Sequence, residues 1–186
     1  MSIQQKKLNI GLFGFGVVGT GLYKVLQQTP SLNAEIKKVC IKHPEKKREA
    51  PETLFTIDAE LLLSDDSINV IVELIDDADA AYYIVSRALA SGIAPSDVVF
   101  SGVGKTRDEL RRALDDGIGQ FNIELEDEGV AISELAVAMG KRAVAVLRVN
   151  PDVDAKTHAK ISTGKKENKF GVPIDQAEIG RARVGK

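Results

Sequence analysis

The sequence has few of the residues that form covalent or metal cross-links. Its single cysteine, Cys40, cannot form an internal disulfide, and its apolar neighbours favour a small strand hydrophobe over a reactive thiol. The two histidines, His43 and His158, are far apart, and neither has metal-ligand spacing to a cysteine or an acidic residue. We therefore predict no metal site and a reducing, cytoplasmic setting.

Long apolar runs and a strong charge of one sign are also missing. The N-terminus has no signal-peptide core, and no apolar run approaches the roughly 18 residues of a membrane span. A net charge of −2 gives no drive toward nucleic acid or an anionic membrane, so neither is an expected partner. With 186 residues, of which 44% are hydrophobic and 28% charged, the chain can build one full globular domain.

A glycine-rich turn follows the first apolar run. Residues 8–19 read LNIGLFGFGVVG, a run that ends in a GxGxxG pattern and continues into helical spacing. In a dinucleotide-binding unit Gly14 permits the tight turn, Gly16 lets backbone amides approach a pyrophosphate, and Gly19 lets the helix pack on the strand. The phosphates would lie at the helix N-terminus, where unpaired N–H groups favour negative charge. The alternative is a turn that packs a helix on a sheet and binds nothing.

Basic residues follow the second predicted strand, 37–41. At this point an NAD-binding unit usually carries an acidic residue for the ribose 2′-hydroxyl, whereas this sequence has Lys42, His43 and the basic run 46–48. Such cations suit the 2′-phosphate of NADP better than a bare ribose. A solvated basic loop explains the same residues equally well.

Strand and helix patterns alternate as far as residue 150. The continuous apolar run 69–75 is typical of a strand buried on both faces of a parallel sheet. Repeated strand–helix–strand steps predict a single Rossmann-like α/β domain over 1–150. Its sheet is predicted to be open, doubly wound and mostly parallel, with strand order near 3-2-1-4-5-6-7 and a weak third strand. Residues 151–186 predict an irregular tail with a short helix over 175–184.

The later elements are predicted from the same alternation. A helix is expected after Asp76-Asp77 and ends near Gly92, because acid at a helix N-terminus and glycine beyond its C-terminus are capping signals. The remaining strands are predicted over 98–103, 120–124 and 142–149, and the remaining helices over 106–114 and 127–139.

Three motifs occur together in the first half: GLFGFGVVGTGL, VIVELI and a helix end AL-x-x-G. Through them residues 6–92 resemble the nucleotide-binding domain of homoserine dehydrogenase. The resemblance implies a Rossmann strand order, with Ile75 and Asp76 lining the crevice beside the pyrophosphate loop. The loop residues would be Gly14, Phe15, Gly16, Val17, Val18 and Gly19. Many family members have Gly-Gly in place of Asp76-Asp77, so these carboxylates would either repel a phosphate or cap the helix.

The second half carries IAPSDVVFSGVGKTRDELRRALDDGIGQFNIE and LRVNPDVDAKTHAKISTGKKENKFGVPIDQA. Through these stretches residues 93–177 resemble an internal piece of diaminopimelate decarboxylase, a pyridoxal phosphate (PLP) enzyme with a (β/α)₈ barrel. In that family the PLP lysine lies on an earlier strand and the phosphate-binding glycines lie later, so PLP is not expected here. Arg148 matches an arginine that approaches the cofactor ring.

Two incomplete enzyme segments, joined at a shared helix end, predict an engineered chimera without catalytic activity. We expect NADP or NAD to bind weakly or not at all, through the glycine loop, Lys42 and Ile75. No catalytic residue is predicted, since Lys105 is expected to be a solvated lysine at a helix start. The alternative is a minimal NADP-dependent oxidoreductase that uses Lys105. An open edge at the last strand predicts a homodimer through the sheet edge or a helix face.

Overall fold

The structure, a computed structural model, describes residues 7–150 and 171–173. Contacts within the chain divide it into two units, residues 1–93 and 94–186. The predicted helix over 175–184 lies outside the described residues. Within the described ranges, no helix has the length and apolar character needed to cross a membrane.

The first unit contains a four-stranded parallel sheet in the order β3-β2-β1-β4. Its strands are β1 Leu8–Phe13, β2 Ala34–Cys40, β3 Phe55–Thr56 and β4 Val70–Glu73. Its helices are α1 Val17–Gln28, α2 Glu60–Leu63 and α3 Ala78–Ala90. The order confirms the predicted Rossmann-type half, and the third strand is as weak as predicted.

Apolar side chains cover both faces of the first sheet. Successive residues of a strand point to opposite faces, which β1 shows directly. Leu12 belongs to a buried cluster with Val39, and residues of α1 pack against it. Phe13, the next residue, packs with Leu62 of α2 and Ile84 of α3. Both faces of β1 are therefore covered up to its C-terminal end, where the glycine-rich turn begins.

The second unit contains a three-stranded parallel sheet in the order β5-β6-β7 and a separate two-stranded pair, β8-β9. Its strands are β5 Val99–Phe100, β6 Gln120–Ile123, β7 Ala145–Leu147, β8 Val149–Asn150 and β9 Val172–Pro173. Its helices are α4 Arg107–Asp116 and α5 Glu126–Ala138. The tail was predicted without a strand. A two-residue strand such as β9 has no periodicity that the sequence could reveal.

Local signals set the ends of α4. Thr106 and Glu109 form a reciprocal capping box at its start, and Gly117 ends it with φ +77°. The buried face of α4, which includes Leu110, packs in one cluster with Phe121 of β6 and with residues of α5. α4 and α5 thus pack against the sheet of this unit through one apolar core.

The predicted step from the fourth to the fifth strand is not formed in the described part of the chain, where β4 pairs with β1 and β5 pairs with β6. β5 is also shorter than the predicted strand 98–103. A 3₁₀ turn at Pro95–Asp97 precedes it, and glycines with positive φ at 102 and 104 follow it. Two residues offer few backbone groups to a second neighbour. The α/β class with parallel sheets is confirmed, but the strands form separate sheets.

Candidate functional sites

The glycine turn joins β1 to α1 at the C-terminal edge of the first sheet. Gly14 has φ +93°, and its N–H donates to the carbonyl oxygen of Cys40 at 3.0 Å. A Cβ placed on Gly14 would lie 2.7 Å from the carbonyl oxygen of Leu74, and a Cβ on Gly19 would lie 2.4 Å from that of Gly14. Backbone crowding therefore requires glycine at both positions.

Gly16 differs from its two neighbours in the motif. Its φ is −79°, and no described atom lies within 4 Å of a Cβ placed there. It immediately precedes α1, whose N-terminus has no side-chain cap at this position, since glycine has no side chain. The first amides of α1 therefore adjoin open space, and Val17 and Val18 are 66% and 63% exposed there.

Two other predicted residues, Phe15 and Ile75, adjoin the same turn. The Phe15 ring meets Tyr23 and Phe55 edge-on, at centroid distances of 5.8 and 5.1 Å. The Cγ2 atom of Ile75 lies 3.2 Å from a Cβ placed on Gly14. The structure thus brings Ile75, from the end of β4, to the glycine loop.

A cleft of about 780 Å³ lies beyond the C-terminal end of β2. The loop after β2 and the strand β3 line it, and its lining includes Lys46, Lys47 and Phe55. Because Phe55 contacts Phe15, the cleft adjoins the glycine turn. Lys42 is exposed, and the described lining of the cleft does not include it.

Arg48 holds the loop after β2 in shape. Its guanidinium donates to the carbonyl oxygens of Lys46 at 2.6 Å and His43 at 2.7 Å, and it lies 5.4 Å from the centre of the Phe55 ring. Lys46 and Lys47 are both exposed, so within the basic run they are the cations placed to meet a ligand in the cleft.

Three acidic residues lie between the last residue of β4 and the N-cap of α3. Asp77 caps α3, because its carboxylate accepts from the N–H of Ala80 at 3.1 Å. This contact favours capping over phosphate repulsion for Asp77, while Asp76 is exposed. Glu73 accepts from the N–H of Ile75 at 2.5 Å, and burial raises the pKa of its carboxyl. Glu73 is therefore more easily protonated than an exposed carboxyl.

A buried ion pair lies at the C-terminal edge of the second sheet. The side chains of Lys105 and Glu128 are 2% and 6% exposed, and Nζ lies 3.1 Å from Oε2. Lys105 Nζ also donates to the carbonyl oxygens of Gly102 at 2.6 Å and Asn122 at 2.7 Å. The expectation of a solvated Lys105 is wrong, because the loop after β5 turns this side chain inward onto its partners.

Glu128 was missed by sequence reasoning. Its Oε1 accepts from the N–H groups of Gly104 at 3.0 Å and Lys105 at 3.3 Å, and its Oε2 accepts from the N–H of Glu124 at 2.9 Å. The buried Glu124 in turn accepts from Arg148 at 2.8 Å. A weak signal was present, since Glu128 precedes the buried Ile132 by four residues and so shares its helix face.

These charged residues follow successive strands. Lys105 comes after β5, Glu124 directly after β6 and Arg148 directly after β7. The carboxyl ends of parallel strands share one edge of a sheet, and in β/α barrels that edge carries the active site. The second unit therefore presents a linked charge network where barrel enzymes place their chemistry.

Two sequence families match the chain. Residues 14–116 match the model described as homoserine dehydrogenase, NAD binding domain, and residues 80–185 match that described as pyridoxal-dependent decarboxylase, pyridoxal binding domain. Each match spans more than half of the chain. The chain belongs to both families. The two matches share residues 80–116, a helix–strand–helix segment of the kind that both folds contain.

Curated relatives and solved structures of the pyridoxal family agree with this assignment. The diaminopimelate decarboxylase of Pseudomonas aeruginosa is 51% identical over 122 residues, which are 63% of this chain and 28% of that protein. The Helicobacter pylori enzyme, solved in complex with L-lysine, is 43% identical over 56% of this chain and 26% of its own, with a TM-score of 0.52. A mutant of it reaches 0.54 at 26% identity, over 99% of this chain and 36% of its own. The chain spans about a quarter of the length of the curated relatives that it matches.

These matches overturn two expectations. Decarboxylase relatives near 50% identity point to an enzyme, of which this chain covers a part, so the prediction of a non-enzyme is wrong. The prediction that PLP is not a cofactor is wrong as well, because the matching family model is a pyridoxal-binding domain. Both predictions relied on parts of the two enzymes that the sequence lacks, among them the strand with the PLP lysine and the phosphate-binding glycines. The pyridoxal-family match nevertheless extends through residues 80–185.

Proposed function

We propose that the glycine turn of the first unit binds the pyrophosphate of a nicotinamide dinucleotide. The observation that carries the proposal is the contrast among the three glycines. Backbone atoms crowd the Cβ positions of Gly14 and Gly19, while that of Gly16 is open at the start of a helix of 12 residues. Amides at such a helix start can hold phosphate oxygens that approach without obstruction.

The cleft after β2 would hold the adenosine end, and NADP is the dinucleotide that fits it better. Lys46 and Lys47 line the cleft, and Lys42 is exposed on the same loop. Ammonium groups hold a 2′-phosphate through charge-assisted hydrogen bonds. When bound, the dinucleotide supplies hydride transfer, and the residues of this chain bind and orient it.

Calorimetric titration with NADPH and NADH tests this function. Gly16→Val fills the open space, and the φ of −79° there suits an L-residue, so we expect about tenfold or more loss of NADPH affinity in a folded protein. Gly21→Ala is the matched control, because a Cβ at Gly21 also meets no described atom within 4 Å but lies inside α1. Equal NADPH affinity in wild-type and Gly16→Val protein would refute the site.

We propose further that the chain joins segments of two enzymes, as an engineered recombination would. The boundary between its units falls at residues 93–94, within the segment 80–116 that both family models match. A helix–strand–helix segment that is compatible with both folds is a suitable place for such a junction.

A second function follows from the charge network of the second unit. We propose that this unit supplies one side of the PLP site of a decarboxylase. Arg148, 41% exposed at the end of β7 and oriented by Glu124, fits an anionic cofactor. Lys105 does not offer its ammonium to a ligand, since three hydrogen bonds engage it. When bound, PLP acts as the electron sink for decarboxylation.

Equilibrium dialysis with PLP tests the second function. Arg148→Ala is expected to weaken PLP binding about tenfold, the usual size of one lost charge-assisted contact. Arg142→Ala, which removes an exposed arginine before β7, serves as the control and should leave binding unchanged. If both variants retained PLP as well as the wild-type chain, Arg148 would have no role in the site.

A further inference from the structure

The loop between β5 and α4 gathers hydrogen-bond donors around one point. Gly102 and Gly104 have φ values of +126° and +74°, and neither Cβ position has a described atom within 4 Å. Glycine is therefore favoured at both positions by the positive φ, and not by a lack of space for a side chain. In this conformation the N–H groups of Gly104 and Lys105 both point to a single carboxylate oxygen, Oε1 of Glu128.

Two further donors complete the set on the other carboxylate oxygen. Oε2 of Glu128 accepts from the N–H of Glu124 at 2.9 Å and from the ammonium of Lys105 at 3.1 Å. Three backbone amides and one buried ammonium thus surround one carboxylate that is 6% exposed. Converging amides with a buried cation are the donor set with which proteins bind oxyanions.

An ordinary buried ion pair does not require this arrangement. Lys105 alone would neutralise Glu128, yet the amides come from loops that follow two different strands, β5 and β6. The carboxylate itself arrives from a third element, the first turn of α5. The donors therefore form a site, and the Glu128 side chain occupies it.

We propose that Gly104, Lys105 and the N–H of Glu124 form an oxyanion site whose built-in ligand is the carboxylate of Glu128. The built-in ligand fixes the ends of β5 and β6 without any external molecule and excludes external oxyanions from the site. Once the carboxylate is removed, the same donors take a small free carboxylate. This inference is independent of the dinucleotide and PLP proposals, because it concerns atoms that neither proposal uses as ligand contacts.

Chemical rescue of Glu128→Ala in the full-length chain, with sodium formate as the probe, tests this inference. Thermal unfolding is followed by circular dichroism over a formate series, with sodium chloride at equal ionic strength as the salt control. We expect the midpoint of the variant to rise by several degrees with formate and not with chloride, because a ligand that binds the folded state shifts the midpoint. The wild-type midpoint is expected to be the same in formate and in chloride.

Glu134→Ala is the matched control, since Glu134 lies on the same helix in an exposed ion pair with Arg107. Its midpoint should not respond to formate. If Glu128→Ala is unfolded in buffer, formate is expected to restore its circular dichroism spectrum. A variant that remained unfolded across the series, or a folded variant whose midpoint responded equally to formate and chloride, would overturn the proposal.

Discussion

Replacing Lys105 by methionine is expected to lower the free energy of unfolding of the second unit by about 3–5 kcal/mol, the usual effect of removing one partner from a buried ion pair. The substitution leaves the buried Glu128 carboxylate, 6% exposed in this structure, without its cation. It also leaves the carbonyl oxygens of Gly102 and Asn122 without the hydrogen bonds that Lys105 now donates. Methionine nearly retains the volume of lysine, so a cavity contributes little.

The distribution of aromatic residues makes this measurement selective. The chain has no tryptophan, and its three tyrosines, Tyr23, Tyr82 and Tyr83, all belong to the first unit. Tyrosine fluorescence therefore follows unfolding of the first unit, while far-ultraviolet circular dichroism follows both units. Unfolding of the second unit is therefore the part of the dichroism change that the tyrosine signal does not show. The Lys105→Met substitution should lower the denaturant midpoint of this part.

The double variant Lys105→Met, Glu128→Leu removes both charged partners. Comparing it with Lys105→Met separates the cost of an unpaired Glu128 carboxylate from the loss of the ion pair itself. Replacing a buried pair by apolar residues of similar volume is often neutral or stabilising. In this unit we expect the double variant to regain only the part of the lost stability that comes from the unpaired charge, because leucine leaves the N–H groups of Gly104, Lys105 and Glu124 without their carboxylate acceptor. A control at the exposed pair, Arg107→Ala, should change stability by less than about 1 kcal/mol. A loss below about 1 kcal/mol in Lys105→Met would contradict the assigned contacts.

Gly19→Ala is expected to destabilise the first unit by about 1–3 kcal/mol, as overpacking of a tight contact does. A Cβ there would lie 2.4 Å from the carbonyl oxygen of Gly14, so either the turn or α1 must move. Gly21→Ala in the same helix is expected to act in the opposite direction, by about 1 kcal/mol, since its Cβ meets no described atom within 4 Å and alanine is the better helix former.

The measurement for this pair is tyrosine fluorescence in urea, since Tyr23 lies on α1 itself. Opposite signs for two identical substitutions on one helix cannot come from helix propensity alone. If Gly19→Ala and Gly21→Ala moved the midpoint in the same direction, the contact between Gly19 and the turn would be excluded.

The elements that the sequence predicts well are those fixed by neighbouring residues. The glycine turn is one such element, because Gly14 and Gly19 act within six residues of one another. α4 is another, since Thr106 and Glu109 cap its start and Gly117 ends it. Local backbone chemistry decides these features, and local sequence contains all of it.

The features that the sequence misses depend on distant partners. The local sequence predicts that Lys105 is an exposed residue at a helix start. In the fold it contacts Glu128, which lies 23 residues later in the chain. The separation of the two sheets likewise depends on how β4 and β5 pair, which no residue in either strand encodes by itself. The dinucleotide contacts predicted for the glycine loop, Lys42 and Ile75 all remain predictions, because they need a ligand to define them.

The pair of strands β8 and β9 sets a minimum length for the second unit. Through it the N–H of Gly171 donates to the carbonyl oxygen of Glu124, and the N–H of Val172 donates to that of Arg148. A protein shortened to residue 150 would lose both donors. The carbonyl oxygens of Glu124 and Arg148, which follow β6 and β7, would then have no hydrogen bond from this strand pair. Residues 171–173 are thus part of the smallest version of this unit that can keep both of these backbone hydrogen bonds.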